Sequence, residues 1–107
     1  MQISESELKL LVEENCNYMG IVLKRVILFG SRARGGHNKF SDYDILVIVK
    51  DTLDIKDKMD LSKKIREALA VKLIGADVLI KSLKEVDYYK NRVGSIVKAA
   101  MTEGVVL

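Results

Sequence analysis

A continuous apolar run at Tyr43–Val49 (YDILVIV) constrains the fold of this chain more than any other stretch of its sequence. A strand with one face in water alternates apolar and polar side chains, whereas five aliphatic residues follow one another here from Ile45 to Val49. Most of them are β-branched, which favours an extended backbone. A central strand with both faces covered by protein is therefore predicted.

Helical patterns alternate with short apolar runs on either side of this strand. Ser4 and Glu7 have the spacing of a capping box at a helix start, and Ser82 and Glu85 repeat that spacing later in the chain. The predicted elements, in chain order, are a helix over residues 4–20, a strand over 24–29, the central strand over 43–49, a helix over 54–70, a strand over 76–80, one long helix over 82–104, and either a short edge strand or a frayed end over 105–107.

This order of elements predicts an α/β layer, that is, an α+β fold in which helices pack on a small sheet. The connection after the first strand must fit between Gly30 and Ser41, which is too short for a full crossover helix. A short helical turn and an extended return are expected there, so the sheet should be mixed rather than purely parallel. Because the 107 residues contain no proline, linker, repeat or low-complexity tract, we expect a single domain over residues 1–107.

Composition narrows the class of ligand and the compartment. The net charge of +3 is mild and the basic residues are spread along the chain, which favours a phosphate-bearing ligand over a dedicated nucleic-acid surface. No apolar run approaches the roughly 20 residues that span a bilayer, and the N-terminus lacks the features of a signal peptide, so we expect a cytoplasmic protein. The single cysteine, Cys16, lies among helix-period apolar residues, which favours packing over a role as nucleophile.

Polar chemistry is concentrated between the first two strands, where Ile27 to Ile48 reads ILFGSRARGGHNKFSDYDILVI. A glycine followed by a serine at the head of a helical turn lets the backbone approach a ligand and leaves N–H groups and a hydroxyl for an anion. Arginines add planar donors that suit phosphate oxygens. The residues concerned are Gly30, Ser31, Arg32 and Arg34. Taken alone, this pattern favours an ordinary capped turn with solvated arginines.

A P-loop is a second interpretation of the same glycines. Gly30 and Gly35 have its spacing, but Gly36 stands where the phosphate-binding lysine is needed and His37 where the magnesium-binding hydroxyl is needed. The P-loop is therefore rejected.

The acids at the start of the next strand change the balance. Asp42 and Asp44 are two apart, so in a strand both carboxylates project from one face with Cα atoms roughly 6 to 7 Å apart. Two such charges repel unless a cation lies between them, and oxygen ligands without histidine or cysteine select magnesium or manganese. Asp77 opens the next predicted strand and completes a triad if the two strands are neighbours. The alternative is a set of solvated aspartates at strand starts.

Together these residues resemble the nucleotidyltransferase superfamily of the DNA polymerase beta type. Its signature is a strand, Gly-Ser or Gly-Gly, a spacer, Asp-x-Asp and a later acid strand. Here Gly30 and Ser31 are followed by ten residues, then by Asp42 and Asp44, with Asp77 as the later acid. The resemblance spans residues 24–80 and is closest to the minimal nucleotidyltransferases, which are commonly paired with a small helical HEPN protein. It implies the nucleotidyltransferase fold.

The resemblance also implies an activity. In such pairs the HEPN protein is usually a toxin, and the nucleotidyltransferase is an antitoxin that transfers AMP from ATP onto a tyrosine of the toxin. By this similarity Asp42 and Asp44 would hold magnesium, and Asp77 would join the metal site and help activate the acceptor hydroxyl. Two magnesium ions are implied, with manganese as an alternative, and ATP is the implied substrate. The implied nucleotide-binding residues are Gly30, Ser31, Arg32 and Arg34.

Two alternatives stay open at this point. The chain can be a binding module that neutralises its partner by covering it, with an inactive or regulatory nucleotide site. It can transfer a nucleotide to a nucleic acid or a small molecule. A partner protein or a homo-oligomer would supply the acceptor recognition that a second domain gives larger relatives. His37 is expected to be incidental, and helix packing is expected to explain Tyr88 and Tyr89 better than base stacking.

Overall fold

A computed structural model of the chain describes residues 3–30 and 42–107. Within them lie four helices and four strands. The elements, in chain order, are α1 (Glu5–Tyr18), β1 (Leu23–Phe29), β2 (Tyr43–Val49), α2 (Ile55–Val71), β3 (Ala76–Ser82), α3 (Leu83–Tyr89), α4 (Ile96–Glu103) and β4 (Val105–Val106). The predicted helical turn after β1 lies outside the described residues.

The strands form one mixed sheet in the order β3-β2-β1-β4. β1 pairs antiparallel with β2 and with β4, whereas β2 and β3 are parallel and are joined by the crossover helix α2. The prediction of an α+β fold with a mixed sheet is therefore confirmed, and of the two alternatives for residues 105–107 the structure has the short edge strand, β4. As a result, the end of β1 meets the starts of β2 and β3 at one edge of the sheet.

The central strand is covered on both faces, as the apolar run predicts. Residues 45–49 are all buried. On one face Ile45 and Val47 pack with the apolar sides of α1 and α2, and on the other Leu46 and Ile48 pack with α3 and α4. Apolar burial on both faces supplies the main stabilisation of the fold.

The predicted long helix over residues 82–104 is wrong, because the chain forms two shorter helices there. Residues 90–95 separate them: Gly94 has a φ of 81°, which ends helical geometry, and the Ser95 hydroxyl accepts from the amides of Val97 and Lys98 at 3.1 and 3.3 Å. Gly94 thus prevents the first helix from continuing and Ser95 caps the start of the second, although the apolar spacing runs on across both residues. The break allows Val86 and Val97 to contact the same face of the sheet.

The two predicted capping boxes differ in the structure. Ser82 and Glu85 form the complete box at the start of α3. At the start of α1 the Ser4 hydroxyl accepts from the Glu7 amide at 3.1 Å, but the Glu7 side chain bonds the Ser4 hydroxyl rather than the Ser4 amide. The helix start is confirmed and the reciprocal bond is not observed.

Cys16 is a packing residue. Its side chain is fully buried between α1 and the sheet, and burial, together with the nearby Glu13 carboxylate, raises the pKa of its thiol to about 11. The thiolate that a nucleophile needs is therefore disfavoured. Within the described part of the chain, no helix is long and apolar enough to cross a membrane.

Candidate functional site

Two of the predicted acids lie side by side at the edge where β1 ends and β2 and β3 begin. Asp44 on β2 and Asp77 on β3 are register partners in the parallel pair, and Phe29 on β1 is the partner of Asp44 on the other side. Because side chains alternate along a strand, Asp77 shares its sheet face with Leu79, which packs towards α3 and α4. Leu46 packs on that face too and gives Asp44 the same orientation. The adjacency on which the predicted triad depends is therefore present for this pair.

Asp42 is exposed just before β2, and its carboxylate lies against Gly75, where a Cβ on residue 75 would collide with it. The Tyr43 amide donates to the Gly75 carbonyl at 3.0 Å, which fixes this approach. Within residues 3–30 and 42–107, no three acidic, histidine or cysteine side chains are grouped as a metal site would require. The structure thus pairs Asp44 with Asp77 and leaves Asp42 beside them.

Gly30, the first of the predicted nucleotide-binding residues, contacts Asp44. It follows β1 with a φ of 72°, a left-handed conformation that favours glycine. A Cβ at this position would overlap the carboxylate of Asp44. Residue 30 therefore has to be glycine for two reasons: the left-handed backbone angle, and the lack of room for a Cβ beside the Asp44 carboxylate. Ser31, Arg32, Arg34 and His37 lie outside the described residues.

A cavity of about 400 Å³ opens beside the paired acids. Arg66 of α2 lines it, and the Arg66 Nε donates to the Ser62 hydroxyl at 3.3 Å. That hydroxyl donates in turn to the Val78 carbonyl of β3 at 3.1 Å, which ties the arginine to the strand that carries Asp77. The other side chains that line this cavity include Phe29, Leu79 and Ile96. A larger cavity of about 690 Å³ lies near the start of β1, away from the acids.

Sequence reasoning missed Arg66. It is one of several basic residues on α2, most of which are exposed, and the sequence does not set it apart from them. The available signal was the four-residue spacing of Ser62 and Arg66, which places both on one side of a helix. Only the crossover of α2 onto β3 brings that side to the acids.

The donor set fits a hard divalent cation. Asp44 and Asp77 supply carboxylate oxygens from neighbouring positions on one face, and Asp42 stands exposed at the same edge. Magnesium keeps several waters and binds through one or two carboxylates plus substrate phosphate, so it does not require three grouped acids. The guanidinium of Arg66 would add positive charge for an anionic ligand.

The same fold and motif occur in a known family. A family model described as a nucleotidyltransferase domain matches residues 8–105. The chain belongs to the nucleotidyltransferase domain family. The predicted family, fold and enzyme class are thereby confirmed, and Asp44, Asp77 and Gly30 are residues of a nucleotidyltransferase domain.

Individual relatives agree with this family. A Methanocaldococcus jannaschii protein named "Putative protein adenylyltransferase MJ0141" is 49% identical over 41 residues, which are 38% of this chain and 41% of the relative. The match thus spans less than half of that relative's length. A crystal structure of a toxin-antitoxin with AMP-PNP is 25% identical with a TM-score of 0.63, over 97% of this nucleotidyltransferase and 72% of the matched chain. A mutant of the toxin-antitoxin MntA-HpeT is 27% identical with a TM-score of 0.62, over 99% and 72%.

Proposed function

We propose that this nucleotidyltransferase is a magnesium-dependent antitoxin that transfers AMP from ATP to a tyrosine hydroxyl of a helical HEPN-type toxin. The observation that carries the proposal is the register pairing of Asp44 and Asp77 beside Gly30, at the edge where β1 ends. The relative named as a protein adenylyltransferase supports adenylyl transfer to protein. The neighbour crystallised with AMP-PNP supports an adenine nucleotide, and both toxin-antitoxin neighbours support the class of partner.

The reaction displaces pyrophosphate from ATP. The acceptor oxygen forms a bond to the α-phosphorus, and the bond from that phosphorus to the oxygen bridging to the β-phosphate breaks. Pyrophosphate leaves with the electron pair of that bond. The proton of the acceptor hydroxyl passes to the carboxylate of Asp77, which faces the cavity.

Each site residue has a role in this proposal. Asp42 and Asp44 would hold magnesium, with Asp77 joining them. The bound ion would offset negative charge on the triphosphate and on the leaving pyrophosphate. Gly30, Ser31, Arg32 and Arg34 would bind the triphosphate, because Gly30 lets the backbone approach it closely. Arg66, which sequence reasoning did not select, would contact the anionic substrate from α2.

The test is intact mass analysis of the purified toxin after incubation with this protein and MgATP. We expect the toxin to gain the mass of one or more AMP groups, and peptide mapping to locate them on tyrosine. Reactions without magnesium, and with an Asp44→Asn variant, are the controls and should give no added mass.

Two results would contradict the proposal. One is a toxin that gains no mass with any nucleoside triphosphate. The other is an Asp44→Asn variant that protects cells from the toxin as well as the unmodified protein does. Both together would instead favour a binding module that neutralises its partner by covering it.

A further inference from the structure

Two adjacent tyrosines at the end of α3 are exposed, although helix packing was expected to account for them. Tyr88 and Tyr89 are 57% and 37% exposed, and their rings meet edge to face with centroids 4.7 Å apart. The Arg92 guanidinium carbon lies 4.0 Å from the centre of the Tyr88 ring, and the Lys81 ammonium lies 5.3 Å from that of Tyr89. Each ring therefore has a cation against it and a substantial part of its surface open to solvent.

Exposed apolar side chains extend this cluster through the connection before α4 to the first residue of that helix. Val93 is 92% exposed and Ile96 is 55% exposed. A cavity of about 430 Å³ lies among these residues, and its lining includes two cations and no carboxylate. We name the cluster the Tyr-Arg surface; it consists of Lys81, Tyr88, Tyr89, Arg92, Val93 and Ile96.

The Tyr-Arg surface is continuous with the acid site. Asp77 and Lys81 are four residues apart on β3, so they project from the same face about 13 Å apart. Ile96 lies between them and lines both the cavity beside the acids and the cavity of the Tyr-Arg surface. A single bound segment of a few residues in extended conformation can therefore contact both ends.

We propose that the Tyr-Arg surface docks an acidic segment of the acceptor protein and so presents its hydroxyl to Asp77. This inference rests on the proposed function, because it assigns the acceptor's place at the same site. Tyrosine and arginine are among the residues that most often dominate binding energy at protein interfaces. Both tyrosines already contact a cation and each other, which reduces the side-chain entropy that docking would cost.

Charge decides the chemistry of the segment. Within the described residues neither Arg92 nor Lys81 forms a direct ion pair, and the cavity that both line holds no acid. The nearest acids, Glu85 and Asp87, line the neighbouring cavity beside Tyr88, and each is paired with a lysine of its own, Lys58 and Lys90. An acidic segment is attracted to such a surface, and a basic one is repelled.

A nucleotide base fits this surface less well. Stacking a base needs an open ring face, whereas each tyrosine has a cation over one face and its neighbour's ring beside it. A base stacked on the cation-bearing face of either ring would have to displace Arg92 or Lys81. It would also leave Val93, the most exposed of these side chains, without a contact. A protein segment uses both the cations and the apolar side chains.

The experiment compares steady-state transfer of AMP to the purified HEPN-type toxin by the Arg92→Glu and Val93→Asp variants. Both residues are exposed, so the fold should be retained. The matched control is Lys64→Glu. In the unmodified protein the Lys64 ammonium lies 4.8 Å from the ring centre of Tyr18, where α2 packs beside α1 and away from the acids. We expect the KM for the toxin to rise at least about 10-fold in both variants. In these two variants the KM for ATP and the kcat should stay unchanged. In Lys64→Glu all three constants should stay unchanged.

Two results would overturn the inference while leaving the proposed function intact. One is an unchanged KM for the toxin in both variants, and the other is a raised KM for ATP, which would assign the surface to the nucleotide base. If the unmodified protein transfers nothing to the toxin, the proposed function fails. Docking is then tested separately, by measuring with calorimetry the Kd between the toxin and this protein or its variants. A Kd weakened by Arg92→Glu and not by Lys64→Glu would then support docking, and equal Kd values would overturn it.

Discussion

Asp44 and Asp77 stand in register on neighbouring parallel strands, at the edge of the sheet where both strands begin. Strands in a sheet lie about 4.8 Å apart, so backbone pairing alone brings the two acids together. Like charges about 5 Å apart repel by roughly 1 to 3 kcal/mol, depending on how well water screens them. The fold thus holds a pair of acids where their mutual repulsion favours a bound cation.

The first prediction concerns this pair. Replacing Asp77 by Asn should lower the rate of nucleotidyl transfer by roughly 100-fold or more, because the side chain keeps its shape and loses its charge. Thermal stability should be unchanged or raised, since the repulsion with Asp44 is removed. Transfer is measured by AMP incorporation and stability by thermal unfolding, with and without MgATP. The added ligand should raise the Tm of the unmodified protein more than that of the variant.

The control for Asp77→Asn is Asp51→Asn, which changes an exposed acid beyond the far end of β2. That variant should keep both its transfer rate and its response to MgATP. Full transfer by a correctly folded Asp77→Asn protein would remove Asp77 from the catalytic site.

The second prediction separates two requirements for glycine. Gly30 and Gly20 have nearly the same left-handed φ, 72° and 70°, but a Cβ meets the Asp44 carboxylate only at residue 30 and open space at residue 20. Alanine at either position should cost roughly 1 to 2 kcal/mol of unfolding free energy for the backbone conformation. Only Gly30→Ala should also displace Asp44 and abolish most of the transfer.

Chemical denaturation measures the cost common to both variants, and AMP incorporation measures the difference between them. If Gly20→Ala lost as much transfer as Gly30→Ala at temperatures where both are folded, the contact between Gly30 and Asp44 would have no functional weight.

Much of this fold could be predicted from local sequence. The apolar run of β2 indicates burial on both faces, and the short connection after β1 indicates a mixed sheet, because each follows from a residue-level constraint. The break between α3 and α4 was missed because the apolar spacing from Val86 to Ala100 continues across it. Only Gly94 and Ser95 mark the end of one helix and the start of the next.

The site was predictable in part for the same kind of reason. Asp44 and Asp77 can each be recognised in the sequence as an acid at the start of an apolar strand, but their pairing depends on which strands are neighbours. Arg66 and the Tyr-Arg surface depend on how α2 and α3 cross the sheet, which sequence periodicity does not specify. Likewise, the contact of Gly75 with Asp42 exists only once β2 and β3 are paired.

The third prediction tests Arg66. Arg66→Ala should lower the transfer rate roughly 10-fold, as expected for a residue that supports the charged ligands of a site without holding the ion. Ser62→Ala should have a smaller effect in the same direction, because the hydroxyl orients the guanidinium through a 3.3 Å hydrogen bond. Unfolding free energies should change little in Arg66→Ala, because the side chain is exposed.

The control for Arg66→Ala is Lys63→Ala on the same helix. Lys63 is 70% exposed and its ion pair with Glu67 is long, at 3.8 Å, so its loss should leave transfer unchanged. Equal transfer rates for Arg66→Ala and Lys63→Ala would show that the cavity does not use the arginine.

The fourth prediction concerns the pH dependence of stability through Glu85. Partial burial opposes the charged form of Glu85 and would by itself raise its pKa. Two hydrogen bonds favour the charged form, one from the Lys58 ammonium at 2.5 Å and one from the Ser82 amide at 2.9 Å. Together with the positive charges of Lys58 and Lys81, they outweigh burial and lower the pKa of Glu85 below its usual 4.5. A carboxyl with a lowered folded-state pKa stabilises the fold above pH 4.5 and loses that effect as the pH falls through the folded-state pKa.

Glu85→Gln should therefore cost roughly 1 to 2 kcal/mol at pH 7, and the difference from the unmodified protein should shrink as the pH falls below 4.5. Asp87→Asn is the control, because Asp87 is 78% exposed and pairs with Lys90 at 3.0 Å, so its loss should change stability by less than about 1 kcal/mol. Urea unfolding from pH 7 down to pH 3 measures both. A cost for Glu85→Gln that stayed constant over this range would mean that the side chain acts through its shape rather than its charge.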